Sequence, residues 1–84
     1  MDIPAMADAV ESREDLARFL HALSEEARKS GHEWENPDLA SYFEGASGWT
    51  RDMGGAFKNM GQPTPAEPSW KLFAQILMAA CQYE

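Results

Sequence analysis

The clearest helix start in the chain lies in the stretch Trp34-Glu35-Asn36-Pro37-Asp38-Leu39-Ala40-Ser41-Tyr42-Phe43-Glu44, which continues to Trp49. Asn36 has the side-chain oxygen that an N-cap needs, and Pro37 suits the first helical position because an N–H there has no intrahelical partner to lose. Asp38 then lies in the first turn, where the helix dipole favours an acid. The stretch therefore predicts a helix that begins at residue 37, with Asn36 as its cap.

Apolar residues continue this helix in one phase to about residue 60. They are Leu39, Tyr42, Phe43, Ala46, Thr50, Met53, Phe57 and Met60. Gly54 and Gly55 oppose it, since each glycine in a helix interior costs about 1 kcal/mol relative to alanine. Because the apolar phase passes through both glycines unchanged, we expect one helix over 37–60. A break or bend at Gly54-Gly55 is the alternative.

Four small or polar residues share one face of this helix, opposite Leu39 and Phe57. They are Ser41, Gly45, Gly48 and Asp52. Such a face either lets another backbone approach closely or is tolerated in solvent, and the general cost of helical glycines favours the solvated alternative. Trp49 lies at the border between the two faces, so we expect it to be partly exposed.

Two further helices flank this one. Ser12 is a good N-cap, and an apolar stripe follows it at helical spacing as far as Ala27, with Gly31 suited to the C-terminal end. These residues predict a helix over 12–30. After the proline-rich segment 61–68, a third helix begins either at a capping box over Thr64–Glu67 or with Pro68 as its first residue, and we place it at 67–82.

The third helix is apolar nearly all round. One face contains Trp70 and Phe73, and a nearly opposite face contains Leu72, Ile76 and Tyr83. A helix of this kind is either the central element of its fold or presents a face to a second subunit. We therefore expect a possible homodimer through the third helix, with the Leu72 face at the interface.

Composition favours one small globular domain. The 84 residues are 44% hydrophobic and 11% aromatic, which suffices for a packed core, and a single cysteine excludes an internal disulfide. The fold class that follows is all-α: a compact three-helix domain over 12–84, preceded by a loosely ordered N-terminal arm over 1–11. We expect Ile3 or Val10 to pack onto the domain.

The charge balance limits the partners. Fourteen acidic residues against seven basic ones give a net charge of −7, which argues against binding to nucleic acid or to an anionic membrane surface and permits a basic protein partner. No apolar run approaches the roughly 18 residues of a membrane span. The lone thiol and the absence of a basic leader stretch lead us to expect a cytoplasmic protein.

No pattern in the chain indicates catalysis, a metal or a cofactor. His32 with Glu33, Glu35 and Asp38 matches no metal-ligand spacing, so a solvated loop is the better interpretation. Cys81 shares an apolar face and is expected to be a buried structural thiol. We therefore expect a non-enzymatic protein without a cofactor.

Two classes of function remain. The first is a small acidic interaction protein, with the immunity and antitoxin proteins of bacterial toxin systems as its model. Its expected partner surface consists of Trp34, Glu35, Asp38, Trp49 and Asp52. The alternative is a module that binds a small molecule or a metal in a pocket between helices. The aromatic residues expected to line that pocket are Trp34, Tyr42, Trp49 and Trp70.

The chain also resembles a family of small uncharacterised bacterial proteins, a domain of unknown function, from about Val10 to Glu84. The residues that carry the resemblance are Trp34-Glu35-Asn36, Leu39, Tyr42-Phe43-Glu44, Trp49, Asp52-Met53, Pro68-Ser69-Trp70, Ala79-Ala80 and Tyr83-Glu84. The resemblance implies a mainly helical, stand-alone domain. It implies no activity, cofactor or site residue.

Overall fold

Four α-helices and one 3₁₀ turn account for the regular structure of residues 2–83, the part of the chain that the computed structural model describes. The helices are α1 (Ile3–Asp8), α2 (Arg13–Ser30), α3 (Leu39–Asn59) and α4 (Trp70–Ala80), and the turn is Gly31–Glu33. These residues contain no strand, which confirms the all-α class. Met1 and Glu84, the ends of the predicted arm and domain, lie outside the described residues.

The predicted loosely ordered arm contains a helix, so residues 2–83 have one more α-helix than the three expected. Asp2 caps α1 by accepting a hydrogen bond from the N–H of Ala5 at 3.1 Å. Ala7 and Val10 are buried, and Ile3 packs against the core, as expected for either Ile3 or Val10. A helix of six residues is unstable alone, so contacts with α4 and α2 are what hold it.

The central element is α4, which contacts each of the other three helices. By contrast, α2 and α3 both pack on α4 but share no close backbone contact with each other. This arrangement explains why the sequence of α4 is apolar nearly all round, and it is the first of the two alternatives stated for that helix. The buried core residues around α4 are Ala7, Val10, Phe19, Leu23, Ala74 and Cys81.

The helix ends agree with the predictions in part. Ser12 caps α2 as predicted, by accepting from the N–H of Asp15 at 3.1 Å. The α3 helix runs unbroken through Gly54-Gly55, as predicted, and ends at Asn59; Gly61, two residues later, has a φ of +71°, the left-handed conformation that glycine adopts readily. The N–H of Gln62 then donates to Phe57 O at 2.9 Å, which completes a Schellman motif.

The start of α4 differs from both alternatives considered. Ser69 is the N-cap, because its Oγ accepts a hydrogen bond from the N–H of Leu72 at 3.0 Å. Pro68 disfavours the helical conformation of the residue before it, which keeps Glu67 outside the helix. The third predicted helix therefore begins at Trp70 rather than at residue 67.

Candidate functional site

Asn36, the predicted cap of α3, has a different role. The helix begins two residues later, and Asp38 caps it by accepting from the N–H of Ser41 at 2.8 Å. The Asn36 amide is buried and donates from Nδ2 to Ala80 O at 2.8 Å and to Tyr83 O at 2.6 Å. Its backbone N–H donates to Cys81 O at 3.1 Å. Asn36 thus ties the stretch before α3 to the end of α4.

This stretch satisfies carbonyl groups that α4 cannot satisfy by itself. The last four carbonyls of a helix have no partner within the helix, and in α4 these belong to residues 77–80. Leu77 O accepts from the phenol of Tyr42 at 2.7 Å, and Ala80 O accepts from Asn36. The other two carbonyl groups, those of Met78 and Ala79, accept from backbone N–H groups of residues 81–83. The stretch that contains Asn36 and Tyr42 therefore caps the C-terminal end of α4.

The glycines of α3 allow this approach. A Cβ at Gly45 would lie 2.5 Å from Asn36 Nδ2 and 2.7 Å from Ala80 O, and one at Gly48 would lie 2.9 Å from the ring of Tyr83. Both glycines are buried. The preferred interpretation of a solvated small-residue face was wrong. The alternative, a face that another segment approaches closely, is what the structure has, and the approaching residues come from the same chain.

The five residues of the predicted partner surface lie in two places. Trp34, Glu35 and Asp38 are at the start of α3, whereas Trp49 and Asp52 are farther along it. Asp38 and Asp52 are separated by about 21 Å at the helical rise per residue. The predicted helix over 37–60 already implies this separation, so the grouping of the five residues into one surface was wrong.

Trp49 and Asp52 make contacts within the protein. Trp49 is half-buried, and its ring meets Phe57 edge to face, with centroids 6.2 Å apart. Asp52 accepts from Arg51 Nε at 3.0 Å and from the phenol of Tyr83 at 2.5 Å. These bonds lower the pKa of the Asp52 carboxyl to about 2, the Arg51 bond being the larger cause. Asp52 is therefore a charged anchor for the C-terminal segment.

Trp34 and Asp38 border an open groove. Trp34 is half-buried and its ring stacks on Tyr42, with centroids 6.3 Å apart. Hydrogen bonds from Ser41 lower the pKa of Asp38, so it is ionised at neutral pH. The groove lies between α2 and the start of α3, has a volume of about 430 Å³, and is lined by Leu20, Leu23, Ser24, Ala27, Trp34, Asn36, Pro37, Asp38, Leu39 and Tyr42.

Two large apolar side chains that line this groove, and a third one helical turn away from it, are exposed, which the sequence did not predict. Leu39 is 70% exposed, Phe43 one turn further on is 61% exposed, and Leu20 across the groove is 42% exposed. Leu39 and Phe43 were assigned to the stripe that continues α3, and their spacing is the same whether a stripe faces a core or solvent. The feature of the sequence that indicates which side of α3 is buried is the small-residue face, because Gly45 and Gly48 pack against the C-terminal end of α4.

The aromatic pocket expected for a small molecule forms only in part. Trp34 and Tyr42 meet at the groove, while Trp49 pairs with Phe57 and Trp70 lies beside Val10 and Phe73 at a separate surface depression. Within residues 2–83, no group of three or more His, Cys, Asp or Glu side chains is arranged to hold a metal ion.

Cys81 is poorly suited to nucleophilic chemistry. The thiol is buried, and that burial raises its pKa to about 11. At neutral pH the group is therefore a protonated thiol, which is a weak nucleophile and a weak metal ligand. Its packing in the core agrees with the structural role expected for it.

Comparison with known proteins places the chain in a family. Residues 12–84 match the model of a family of unknown function, DUF7660, and the chain belongs to that family. No curated protein and no solved structure matches it. None of the helices in the described part of the chain is long and apolar enough to cross a membrane.

Proposed function

We propose that this member of the DUF7660 family is a small acidic interaction module that binds a basic region of a partner protein in the cytoplasm, as immunity proteins and antitoxins bind toxins. The observation that carries the proposal is the exposure of Leu39, which lines the groove, together with that of Phe43 one turn further along α3. Leu20 adds to the same patch from α2. Exposed apolar side chains gathered at one concave site are typical of protein interfaces.

The charge on the side of the groove formed by the start of α3 favours a basic partner. Residues 31–50 contain four acids, Glu33, Glu35, Asp38 and Glu44, and no lysine or arginine. Complementary charge steers association and selects among partners, whereas two acidic surfaces repel each other. A second copy of this chain is therefore a poor occupant of the groove.

Site-specific cross-linking tests the proposal. With a photoreactive residue at position 43, the chain is expected to cross-link a protein partner in the native cytoplasm, and with the same residue at exposed position 14 it is not. In affinity capture by the chain without the photoreactive residue, Leu39→Ser with Phe43→Ser should reduce recovery of that partner at least about tenfold relative to the wild type, which corresponds to about 1.4 kcal/mol. Met60→Ser is the matched control, because Met60 is also apolar and exposed but lies at the far end of α3. Equal capture of the partner by the wild type, the double variant and Met60→Ser would show that the partner does not bind at Leu39 and Phe43.

The charge can be removed without disturbing the fold. Asn caps a helix as well as Asp does, so Asp38→Asn keeps the start of α3 while Glu35→Gln removes a second exposed charge. The pair should slow association with the captured partner several-fold. Glu14→Gln with Glu67→Gln removes the same charge elsewhere and should leave the rate close to that of the wild type. If both pairs slow association equally, only the net charge matters.

A homodimer through α4 remains a proposal, on a different face from the one expected. Leu72 is buried, and Ile76 and Tyr83 are half-buried, whereas Trp70 and Phe73 are exposed. Glu11 and Lys71 border these two aromatics. In a two-fold interface each contact occurs twice, so a contact between Lys71 of one copy and Glu11 of the other would supply two ion pairs. Light scattering over a concentration series, with Trp70→Ser and Phe73→Ser together as the disrupting variant, tests this interface.

A small-molecule ligand is the alternative. The groove volume lies within the range of ligand pockets, and Trp34 and Tyr42 supply aromatic walls. A ligand that binds the folded chain raises the melting temperature, so thermal shift against metabolite and metal panels distinguishes this alternative. A shift that Leu39→Ser leaves intact and Trp34→Ala removes would favour the small molecule over the protein partner.

A further inference from the structure

The wall of the groove on α2 has the spacing of a helix-binding surface. Leu20, Leu23, Ser24 and Ala27 follow one another at i, i+3, i+4 and i+7, so they form one continuous strip along the helix. The strip is about 10 Å long at the helical rise per residue, which corresponds to two turns. Leu39 and Tyr42 face it from α3. The groove therefore offers an apolar strip to two turns of an incoming segment.

The fold leaves a place for a helix between α2 and α3. Both helices pack on α4 without close backbone contact between them, and Trp34, Asn36, Pro37 and Asp38 also line the groove that separates them. Helices pack with their axes 8–10 Å apart, roughly, when side chains of one fill the grooves of its neighbours. An added helix at this position would pack against α2 and α3 together, as an additional member of the bundle.

Other modes of peptide recognition fit less well. Pairing with a sheet edge needs an exposed strand, and residues 2–83 contain none. Proline-rich segments bind grooves lined mainly by aromatic rings, whereas here aliphatic side chains face Trp34 and Tyr42. The i, i+3, i+4, i+7 strip matches the anchor spacing of an amphipathic helix.

We propose that the groove binds one amphipathic helix of a basic partner protein. Apolar residues of that helix, at i, i+3 or i+4, and i+7, contact Leu20, Leu23 and Trp34, and its flanking Lys and Arg residues face Asp38 and Glu35. The inference rests on the proposed function, because it names the form in which the basic partner binds. It adds that the partner segment is helical and covers about two turns.

Designed peptides test this inference without the natural partner. The probe is a labelled, end-blocked helical peptide with leucine at i, i+3, i+4 and i+7 and lysine and alanine elsewhere. Its scrambled form has the same composition but no apolar face, its glutamate form reverses the charge, and a proline-rich lysine peptide is the extended competitor. By fluorescence anisotropy, the helical lysine peptide should bind at least about tenfold more tightly than each of the other three.

A groove variant with a matched control locates the binding. Ala27 is exposed and lines the groove, and Ala17 is exposed on α2 but does not line it. Ala27→Arg places a bulky cation in the groove and should weaken the helical peptide at least about tenfold, whereas Ala17→Arg adds the same charge and should weaken it far less. Circular dichroism of both variants establishes that each is folded.

Three results would overturn the inference. They are equal binding of the scrambled peptide, preference for the proline-rich peptide, and equal loss in Ala27→Arg and Ala17→Arg. None of these results contradicts the proposed function, whose test is cross-linking of a native partner at position 43. Conversely, if the helical peptide binds as expected but no native partner is cross-linked there, the groove accepts a basic helix and the proposed function fails.

Discussion

At the scale of single residues, Asn36 makes three long-range hydrogen bonds that tie the start of α3 to the end of α4. Its amide and N–H together satisfy carbonyl groups of Ala80, Cys81 and Tyr83, each more than 40 residues away in the chain. The sequence Asn36-Pro37-Asp38 does not show whether the Asn36 side chain caps the following helix or bonds to a distant segment. Which role it takes depends on whether a distant helix end needs a donor.

Asn36→Ala should therefore destabilise the protein by about 1–3 kcal/mol, because it leaves the buried carbonyl of Ala80 without a donor. Asn36→Asp should be at least as harmful, since a carboxylate accepts hydrogen bonds and has no N–H to donate. Urea unfolding followed by circular dichroism measures both. Asn59→Ala, at an exposed position at the end of α3, is the control and should change stability by less than about 0.5 kcal/mol. A cost for Asn36→Ala equal to that of the control would show that the bridge contributes nothing.

The raised pKa of Tyr42 predicts how the stability of the protein changes at alkaline pH. Burial, followed by the nearby Cys81 thiol, raises the pKa of its phenol from 10.0 to about 12. The folded state then holds this proton where the unfolded state loses it, so the contribution is complete below about pH 10 and is lost as the pH rises towards 12. Tyr42→Phe, which cannot ionise, should lose less stability between about pH 9 and about pH 11 than the wild type does.

At neutral pH the same variant should be less stable by about 0.5–1.5 kcal/mol, because the hydrogen bond to Leu77 O is absent. The stability difference between variant and wild type should therefore narrow as the pH rises. Urea midpoints at the two pH values measure it. A difference that is constant with pH would mean that the phenol of Tyr42 ionises equally in both states.

At the scale of helices, the packing of α3 on α4 depends on the absence of side chains. Gly45→Ala should destabilise the protein by about 1–3 kcal/mol, since the new Cβ would overlap Asn36 Nδ2 and the backbone oxygen of Ala80. Gly55→Ala is the matched control in the same helix. A Cβ at Gly55 meets nothing within 4 Å, so this change should stabilise the protein by about 0.5–1 kcal/mol through helix propensity. If both substitutions stabilised the protein, the close approach at Gly45 would not be a constraint.

The three longer helices were predictable from sequence, whereas α1 and several helix boundaries were not. Apolar periodicity identifies α2, α3 and α4, and local capping explains the start of α2 at Ser12. At α3 and α4, neighbouring residues compete to be the cap. Asp38 takes that role because Asn36 is engaged with α4, and Ser69 takes it because Pro68 excludes an earlier start. The short α1 has no periodicity of its own and exists through contacts with distant helices, which local patterns do not contain.

The sequence predicted some of the residues at the candidate site, but it did not predict which of them lie together. The acidic stretch with Trp34 and Asp38 does border the groove, whereas Trp49 and Asp52 lie elsewhere and contact Phe57 and Tyr83. The exposed pair Leu39 and Phe43 was assigned to the continuous apolar stripe of α3. The small-residue face of Gly45 and Gly48 is visible in the sequence, but its packing against the end of α4 is shown only by the contacts of the folded chain.

At the scale of the whole molecule, the net charge of −7 acts on every association of the chain. Two copies repel each other at long range, while a basic partner is attracted, and both effects are screened by salt. The screening length falls from about 10 Å at 0.1 M salt to about 3 Å at 1 M. The two proposed surfaces therefore respond to salt in opposite directions, although both are centred on exposed apolar side chains.

Raising the salt concentration from about 0.1 M to about 1 M should weaken binding of the basic helical peptide at the groove and strengthen self-association through Trp70 and Phe73. Anisotropy measures the first and light scattering the second, on the same protein. In the variant with Trp70→Ser and Phe73→Ser, the salt-induced self-association should disappear while the peptide still binds, because these residues do not line the groove. Self-association that salt weakens would require attractive charge pairs across the dimer, with the Lys71–Glu11 contact outweighing the repulsion between two acidic molecules.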